Sequence, residues 1–339
     1  MTSTEKFEDL FTVITVLGEG NFGKVMQVST KMPIYDLPVG SVIAIKLVKI
    51  SNNIVNRQAA VYLHHEIEIL KTLTRDGREC SEYILCYYGT VRVQYEKRTM
   101  PVVLMEYVKG NSLEDYIEHM KTPAVPGGYS LEISDETLLD LMLQLALGLE
   151  YMHANNVAHR DIKTANIMYL SDTRKIKYID FGLSCYTLLE RKYSCTMNNV
   201  GTPIYLSPEI FKLNKAIAVD MTTEQDAEMM KKSDVWSLGI ALYVLVVGIE
   251  PYGNITKLTE LEAFLDNPSL KFSFPDTVTV DTRILSIILS MLSYDPRMRP
   301  TSHELSLQIV AVRAEMDSGT TVPTDASIDI NDVMSQLTI

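Results

Sequence analysis

His159-Arg160-Asp161-Ile162-Lys163-Thr164-Ala165-Asn166 is followed by Asp180-Phe181-Gly182, then by Gly201-Thr202-Pro203 and Ser207-Pro208-Glu209. The stretch lies inside a sequence of two textures. Upstream, short runs rich in β-branched residues alternate with turns: FTVITVLG (11–18), KVMQVST (24–30), VIAIKLVKI (42–50), ILCYYGTVRV (84–93) and PVVLMEYV (101–108). Such runs predict a five-stranded antiparallel set. One helix interrupts it at RQAAVYLHHEIEILKTL (57–73), whose Val61, Leu63, Ile67, Leu70 and Leu73 form only a loose apolar face. Beyond residue 110 the segments SLEDYIEHM (112–120), SDETLLDLMLQLALGLEYMHAN (134–155), SDVWSLGIALYVLVVG (233–248) and TRILSIILSMLSY (282–294) read as helices. Ser134, with Asp135 and Glu136 in the first turn and Thr137 three residues on, predicts an N-cap. The expected fold class is α+β: a small β lobe joined near residues 106–112 to a larger α-helical lobe.

Composition narrows the function classes. The chain has 339 residues, 46% apolar and 22% charged, enough for one large domain or two fused lobes. No stretch reaches the roughly 18 uncharged apolar residues of a membrane span, and MTSTEKFEDL at the start is rich in acids. Lys and Arg total 31 against 43 acids, a net charge of −12, which argues against nucleic-acid or anionic-membrane binding as the main task. These features lead us to expect a cytoplasmic protein, with a nuclear location left open. Cys80, Cys86, Cys185 and Cys195 show no zinc-ligand spacing and are expected to be reduced thiols. KTPAVPGGYSLEI (121–133) reads as a Pro/Gly loop, and residues 313–339, rich in Ser, Thr and Asp, as a flexible acidic tail.

Two further signals are ambiguous alone. Gly18-Glu19-Gly20-Asn21-Phe22-Gly23-Lys24-Val25 sits between two predicted strands. Glycines there let backbone amides approach phosphate oxygens, making the hairpin a flap over a nucleotide, yet the same glycines suit an ordinary tight turn. Lys46 ends VIAIK, one strand downstream. Buried, it needs an anion, which Glu66 on the following helix together with a ligand's phosphates could supply; at an edge it is merely solvated.

In order and spacing, the motifs from the Gly-rich hairpin to Ser207-Pro208-Glu209 resemble those of the eukaryotic-type protein kinases, serine/threonine-specific, over roughly residues 7 to 312. The resemblance implies the bilobal kinase fold, with an N-lobe over 7–107 and a C-lobe over 108–312. It implies ATP and Mg²⁺ as cofactors and transfer of the γ-phosphoryl group to a protein hydroxyl. On this reading Gly18, Gly20 and Gly23 cover the phosphates, and Lys46 holds the α- and β-phosphates with Glu66 orienting it. Asp180 and Asn166 bind magnesium, Asp161 orients the acceptor hydroxyl, and Lys163 steadies the γ-phosphate. Val25 and Ala44 form the roof of the adenine pocket and Met168 its floor. Glu106 and Val108 offer backbone groups to the adenine edge, beside Met105 as gatekeeper. For Ala44 and Met168, generic core is an equal alternative. Phe181, His159 and Leu70 are expected in a hydrophobic column, and Glu209 with Arg299 in a buried ion pair. No member of Lys46, Glu66, Asp161, Asn166 and Asp180 is missing, so a competent enzyme is expected. A silent scaffold that binds ATP is the alternative. A small-molecule kinase is disfavoured by the GTP…SPE segment.

The resemblance favours serine/threonine over tyrosine acceptors, through Lys163 in HRDIKTAN and Thr202, which in the serine/threonine form bridges Asp161 and Lys163, and GTPIYLSPE is similar to that of the NIMA-related group. By the same resemblance, Leu183 implies serine over threonine, and Ser112 and Val244, where basophilic relatives carry acids, imply weak arginine preference. Residues 210–233 form an insertion, either an inert surface loop or a docking site for a partner. Arg160 is expected to pair with a phosphate on the activation segment, residues 180–209. The usual phosphate-bearing position, nine residues before Ser207, is Asn198. Either the site is shifted to Thr196, or Asn198 hydrogen bonds hold the loop without phosphate.

Overall fold

The computed structural model describes residues 5–318 other than 21–22, 49–53, 76–78, 126–127, 131–132, 189–193, 199, 214–218, 221, 254 and 256. It divides into two units, Met1–Gly110 with Lys177–Cys185, and Asn111–Ile176 with Tyr186–Ile339.

The first unit contains β1 (Glu5–Lys6), α1 (Phe7–Leu10), β2 (Phe11–Gly20), β3 (Gly23–Thr30), β4 (Val42–Val48), α2 (Ile54–Leu73), β5 (Tyr87–Tyr95) and β6 (Arg98–Glu106). The strands form one sheet in the order β1-β5-β6-β4-β3-β2. The five expected strands pair antiparallel. A sixth was not foreseen: β1 lies parallel to β5, Glu5 opposite Val93 and Lys6 opposite Gln94. Two charged residues show no alternation to read. Period-two geometry sorts the sheet's side chains. Met26, Val28, Ile43, Ile45, Leu47, Val102 and Leu104 turn to one face and cluster with Phe7, Leu10 and Phe11. Ala44 and Lys46, one step out of phase with Ile43, Ile45 and Leu47, occupy the opposite face.

In the second unit, α3 (Leu113–Met120) and α4 (Asp135–Ala154) start at serine caps: Ser112 Oγ accepts from the Asp115 N–H at 3.0 Å and Ser134 Oγ from the Thr137 N–H at 3.3 Å. After them come α5 (Pro208–Phe211), α6 (Glu224–Val247), α7 (Leu258–Leu265), α8 (Thr282–Met291) and α9 (Ser302–Ser318). From Lys232 to Val247, α6 is buried on every side, which makes it the axis of this unit. It ends at Gly248 in the left-handed conformation, φ +84.

Three sequence expectations change. The insertion is not all loop: α6 begins at Glu224, nucleated by a capping box in which Thr223 and Asp226 satisfy each other's backbone N–H groups. The tail does not start at 313, because α9 runs to Ser318, held by ion pairs of Arg313 with Asp140 and of Glu315 with Arg283. Its remainder, 319–339, lies outside the described residues. Finally, Cys80 and Cys86 form a disulfide across the turn that leads into β5, Cys185 and Cys195 are disulfide-bonded as well, and no cysteine is free.

Candidate active site

The candidate residues fall into two sets, one in each unit. In the first unit, the register links Gly18 to Val25 and Val25 to Lys46, while Ala44 stands opposite Met105. The Gly-rich stretch is the hairpin of β2 and β3, with Gly20 opposite Gly23. The Lys46 ammonium lies 2.7 Å from both oxygens of Glu66 on α2, and 3.8 Å from Asp180 Oδ1. So Lys46 is a paired, largely buried cation and not a solvated edge lysine. Burial acts to lower its pKa, but Glu66 and Asp180 outweigh it and the net shift is upward. For Glu66, burial pushes the carboxyl above its ordinary range, with Lys46 opposing.

Asp180 keeps about half its side chain exposed, at 52%, and its backbone takes a left-handed φ of +61. A non-glycine residue held there costs roughly 1–3 kcal/mol, a conformation retained where geometry matters. Glu106, at the end of β6, is fixed by three bonds: its N–H donates to the Cys86 carbonyl at 2.9 Å, and its Oε2 takes the Cys86 N–H at 3.2 Å and the Lys177 ammonium at 2.9 Å. Val108 is buried nearby in sequence, and Phe181 and Leu70 are fully enclosed.

In the second unit, Asp161 is the hub of a polar network. Its Oδ1 accepts from the Thr202 N–H at 3.0 Å and the Thr202 hydroxyl at 2.8 Å. Its Oδ2 lies 2.9 Å from the Lys163 ammonium and accepts from Asn166 Nδ2 at 3.0 Å. Lys163 also donates to the Thr202 hydroxyl at 2.8 Å, so Thr202 bridges the pair as expected. Asn166 spends its amide hydrogens on Asp161, which leaves its Oδ1 as an oxygen donor. Met168 lies opposite Ser112 and is half-buried. Glu209 and Arg299 form the expected ion pair, and it is bidentate, at 2.6 and 2.8 Å, with the guanidinium 4.8 Å from the centre of the Trp236 ring.

The sequence reading missed the support beneath Asp161. Asp234, 1% exposed on α6, accepts from the backbone N–H of His159 and of Arg160, both at 2.8 Å, and faces His153 Nε2 at 3.1 Å. Arg160 has φ +66, so a buried carboxylate holds an unfavourable backbone immediately before the catalytic candidate. Gly201 completes the arrangement: its φ is +118, and a Cβ there would come within 2.7 Å of the Arg160 carbonyl.

A family model for the protein kinase domain matches residues 11–308. The chain belongs to the protein kinase domain family. Among curated relatives, it is 28% identical over 299 residues to the serine/threonine-protein kinase dst2 of Dictyostelium discoideum, covering 88% of this chain and 22% of that protein. It is 29% identical over 298 residues to mitogen-activated protein kinase kinase kinase 2 of Arabidopsis thaliana, covering 86% and 39%. With NUAK family SNF1-like kinase 1 of Homo sapiens it shares 30% over 236 residues, covering 70% and 29%. The chain thus spans well under half the length of these relatives.

Proposed function

We propose that the protein is a serine/threonine kinase that transfers the γ-phosphoryl group of ATP to a hydroxyl on a protein substrate. One observation carries the reading: the Lys46–Glu66 pair and the Asp161–Lys163–Thr202–Asn166 network are both intact in one chain. Phosphoryl transfer asks a protein for alignment and charge neutralisation more than for covalent chemistry. Lys46, oriented by Glu66, grips the donor's phosphates. The carboxylate of Asp161, pinned through both oxygens, accepts the hydrogen bond of the incoming hydroxyl and aims it. Lys163, already beside Asp161, meets the negative charge that develops on the transferred group.

The family uses ATP with a divalent ion, and magnesium is our assignment. The Asp180 carboxylate and the Asn166 Oδ1 are hard oxygen donors, the type that ion takes. When bound, it would offset charge on the phosphate oxygens. Val25 and Ala44 would cover the adenine, and the backbone of Glu106 and Val108 would meet its edge. Residues 210–233 are proposed as a docking segment for a protein partner, with Glu224, Gln225 and Glu228 exposed along the first turns of α6. A cytoplasmic location is proposed on the acidic composition alone.

The competing reading is a nucleotide-binding scaffold without turnover. Incubation with ATP, Mg²⁺ and a generic acceptor such as casein separates the two. The kinase reading expects transfer to serine and threonine by the wild type and its loss in Asp180→Ala. Equal, background-level labelling by both would leave the scaffold.

A further inference from the structure

Residues 198–202 are fastened at both ends to the dipeptide Arg160-Asp161. At the far end, Thr202 binds Asp161 through its N–H and its hydroxyl, and Gly201 lies against the Arg160 carbonyl. At the near end, Arg160 Nη2 donates to Asn198 Oδ1 at 2.5 Å and approaches the Asn198 carbonyl at 3.3 Å. The Thr196 hydroxyl donates to the same Asn198 Oδ1 at 3.1 Å. That oxygen has two lone pairs, and both are engaged. The chain just before it is held too, because Thr196 pairs with Asp220 and Met197 with Val219.

We propose that the Asn198 carboxamide is the positioning group of the activation segment: a neutral side chain that clamps Arg160 and keeps Asp161 set for transfer with no phosphate on the loop. Asn198 touches no reacting atom and acts through Arg160. Three observations converge on it: a cation donating to an amide oxygen, a backbone at φ +66 in the residue that carries this cation, and a Thr196 hydroxyl already used as a donor. A phosphate on Thr196 would remove that donor and place negative charge against the oxygen Arg160 now grips, so the modification would compete with the clamp. This makes Asn198 the anchor and Thr196 its accessory.

The proposal rests on the kinase reading, and the test keeps the two apart. Full-length wild type is treated with phosphatase, shown by mass spectrometry to carry no phosphate, and assayed beside untreated enzyme. Alongside it are Asn198→Ala, Asn198→Asp and Thr196→Ala, each with a thermal melt. The expected result is an unchanged rate for dephosphorylated wild type. In Asn198→Ala, kcat falls about tenfold or more while KM for ATP stays within about twofold. Asn198→Asp restores the rate, because a carboxylate accepts the same two donors. Thr196→Ala stays within about threefold of wild type, since the Arg160 bond survives. Loss of activity on dephosphorylation alone, or an Asn198→Ala enzyme with normal kcat, would overturn the proposal. So would a fall that Asn198→Asp fails to rescue. A wild type inactive in both states would overturn the kinase reading and this proposal together.

Discussion

Replacing Asp234 tests how the fold sets the catalytic backbone. The carboxylate is enclosed, at 1% exposure, and takes the N–H groups of His159 and Arg160 at 2.8 Å each. Asp234→Ala strands both donors, at about 1–3 kcal/mol apiece, or about 2–6 kcal/mol together. Set against a typical total stability of about 5–15 kcal/mol, that threatens the fold itself. Asp234→Asn is the sharper probe, because it keeps the volume but only one acceptor. Whichever way the amide turns, its NH₂ meets a backbone donor, so about 1–3 kcal/mol is lost and the conformation at Arg160, with its φ of +66, loses a restraint. Urea denaturation gives the stability change, and phosphotransfer kcat, measured well below the transition, gives the positional effect. We expect the stability order wild type, Asp234→Asn, Asp234→Ala, and a fall in kcat of about tenfold or more for Asp234→Asn. An Asp234→Asn protein within about 0.5 kcal/mol of wild type and with normal kcat would refute the reasoning.

Lys46→Ala removes the cation beside buried Glu66, so nucleotide affinity and kcat/KM should both fall, by about a hundredfold in the latter, as isothermal titration and steady-state kinetics would register. Gly201→Ala forces a Cβ to within 2.7 Å of the Arg160 carbonyl at φ +118, so a loss of about 1 kcal/mol or more should appear in a denaturant titration together with reduced kcat. On the acid side, the Thr222 backbone N–H holds Asp226 below its usual pKa, and Arg283 does the same for Asp281. Depressed carboxylates stabilise the fold above their unfolded values, near 3.9, and lose that contribution as pH falls through the folded ones. Stability should therefore drop below about pH 4, with Thr223→Ala losing about 1 kcal/mol at neutral pH from the same cap.

The candidate residues could be read because their types and intervals survive as a linear string: Lys46, Asp161, Lys163, Asn166, Asp180 and Thr202 all come from local motifs, and the structure finds each of them polar partners. The hairpin was legible for a similar reason, since turn glycines sit between two alternating runs. What escaped the reading depends on long-range closure. Asp234 serves residues 75 and 74 positions earlier, and nothing local marks it as their acceptor. Arg313 and Glu315 look like part of a polar tail until Asp140 and Arg283 are brought to them by α4 and α8. The early start of α6 did carry a signal: Thr223, with Asp226 three residues on, is a cap, and EQDAEMMKK is rich in helix formers. Its polarity was read as loop. The pairing of Cys80 with Cys86 depends on a turn whose geometry the intervening residues do not announce.

The central claim is that Asp161 aims the acceptor hydroxyl within a functioning kinase. Transfer of labelled γ-phosphoryl from ATP to a serine/threonine protein substrate, wild type against Asp161→Ala with nucleotide binding measured in parallel, tests it most directly. The account predicts wild-type turnover and a loss of about a hundredfold or more in the variant, equivalent to roughly 3 kcal/mol of transition-state stabilisation, with ATP affinity little changed. An Asp161→Ala protein that turns over at the wild-type rate would contradict it.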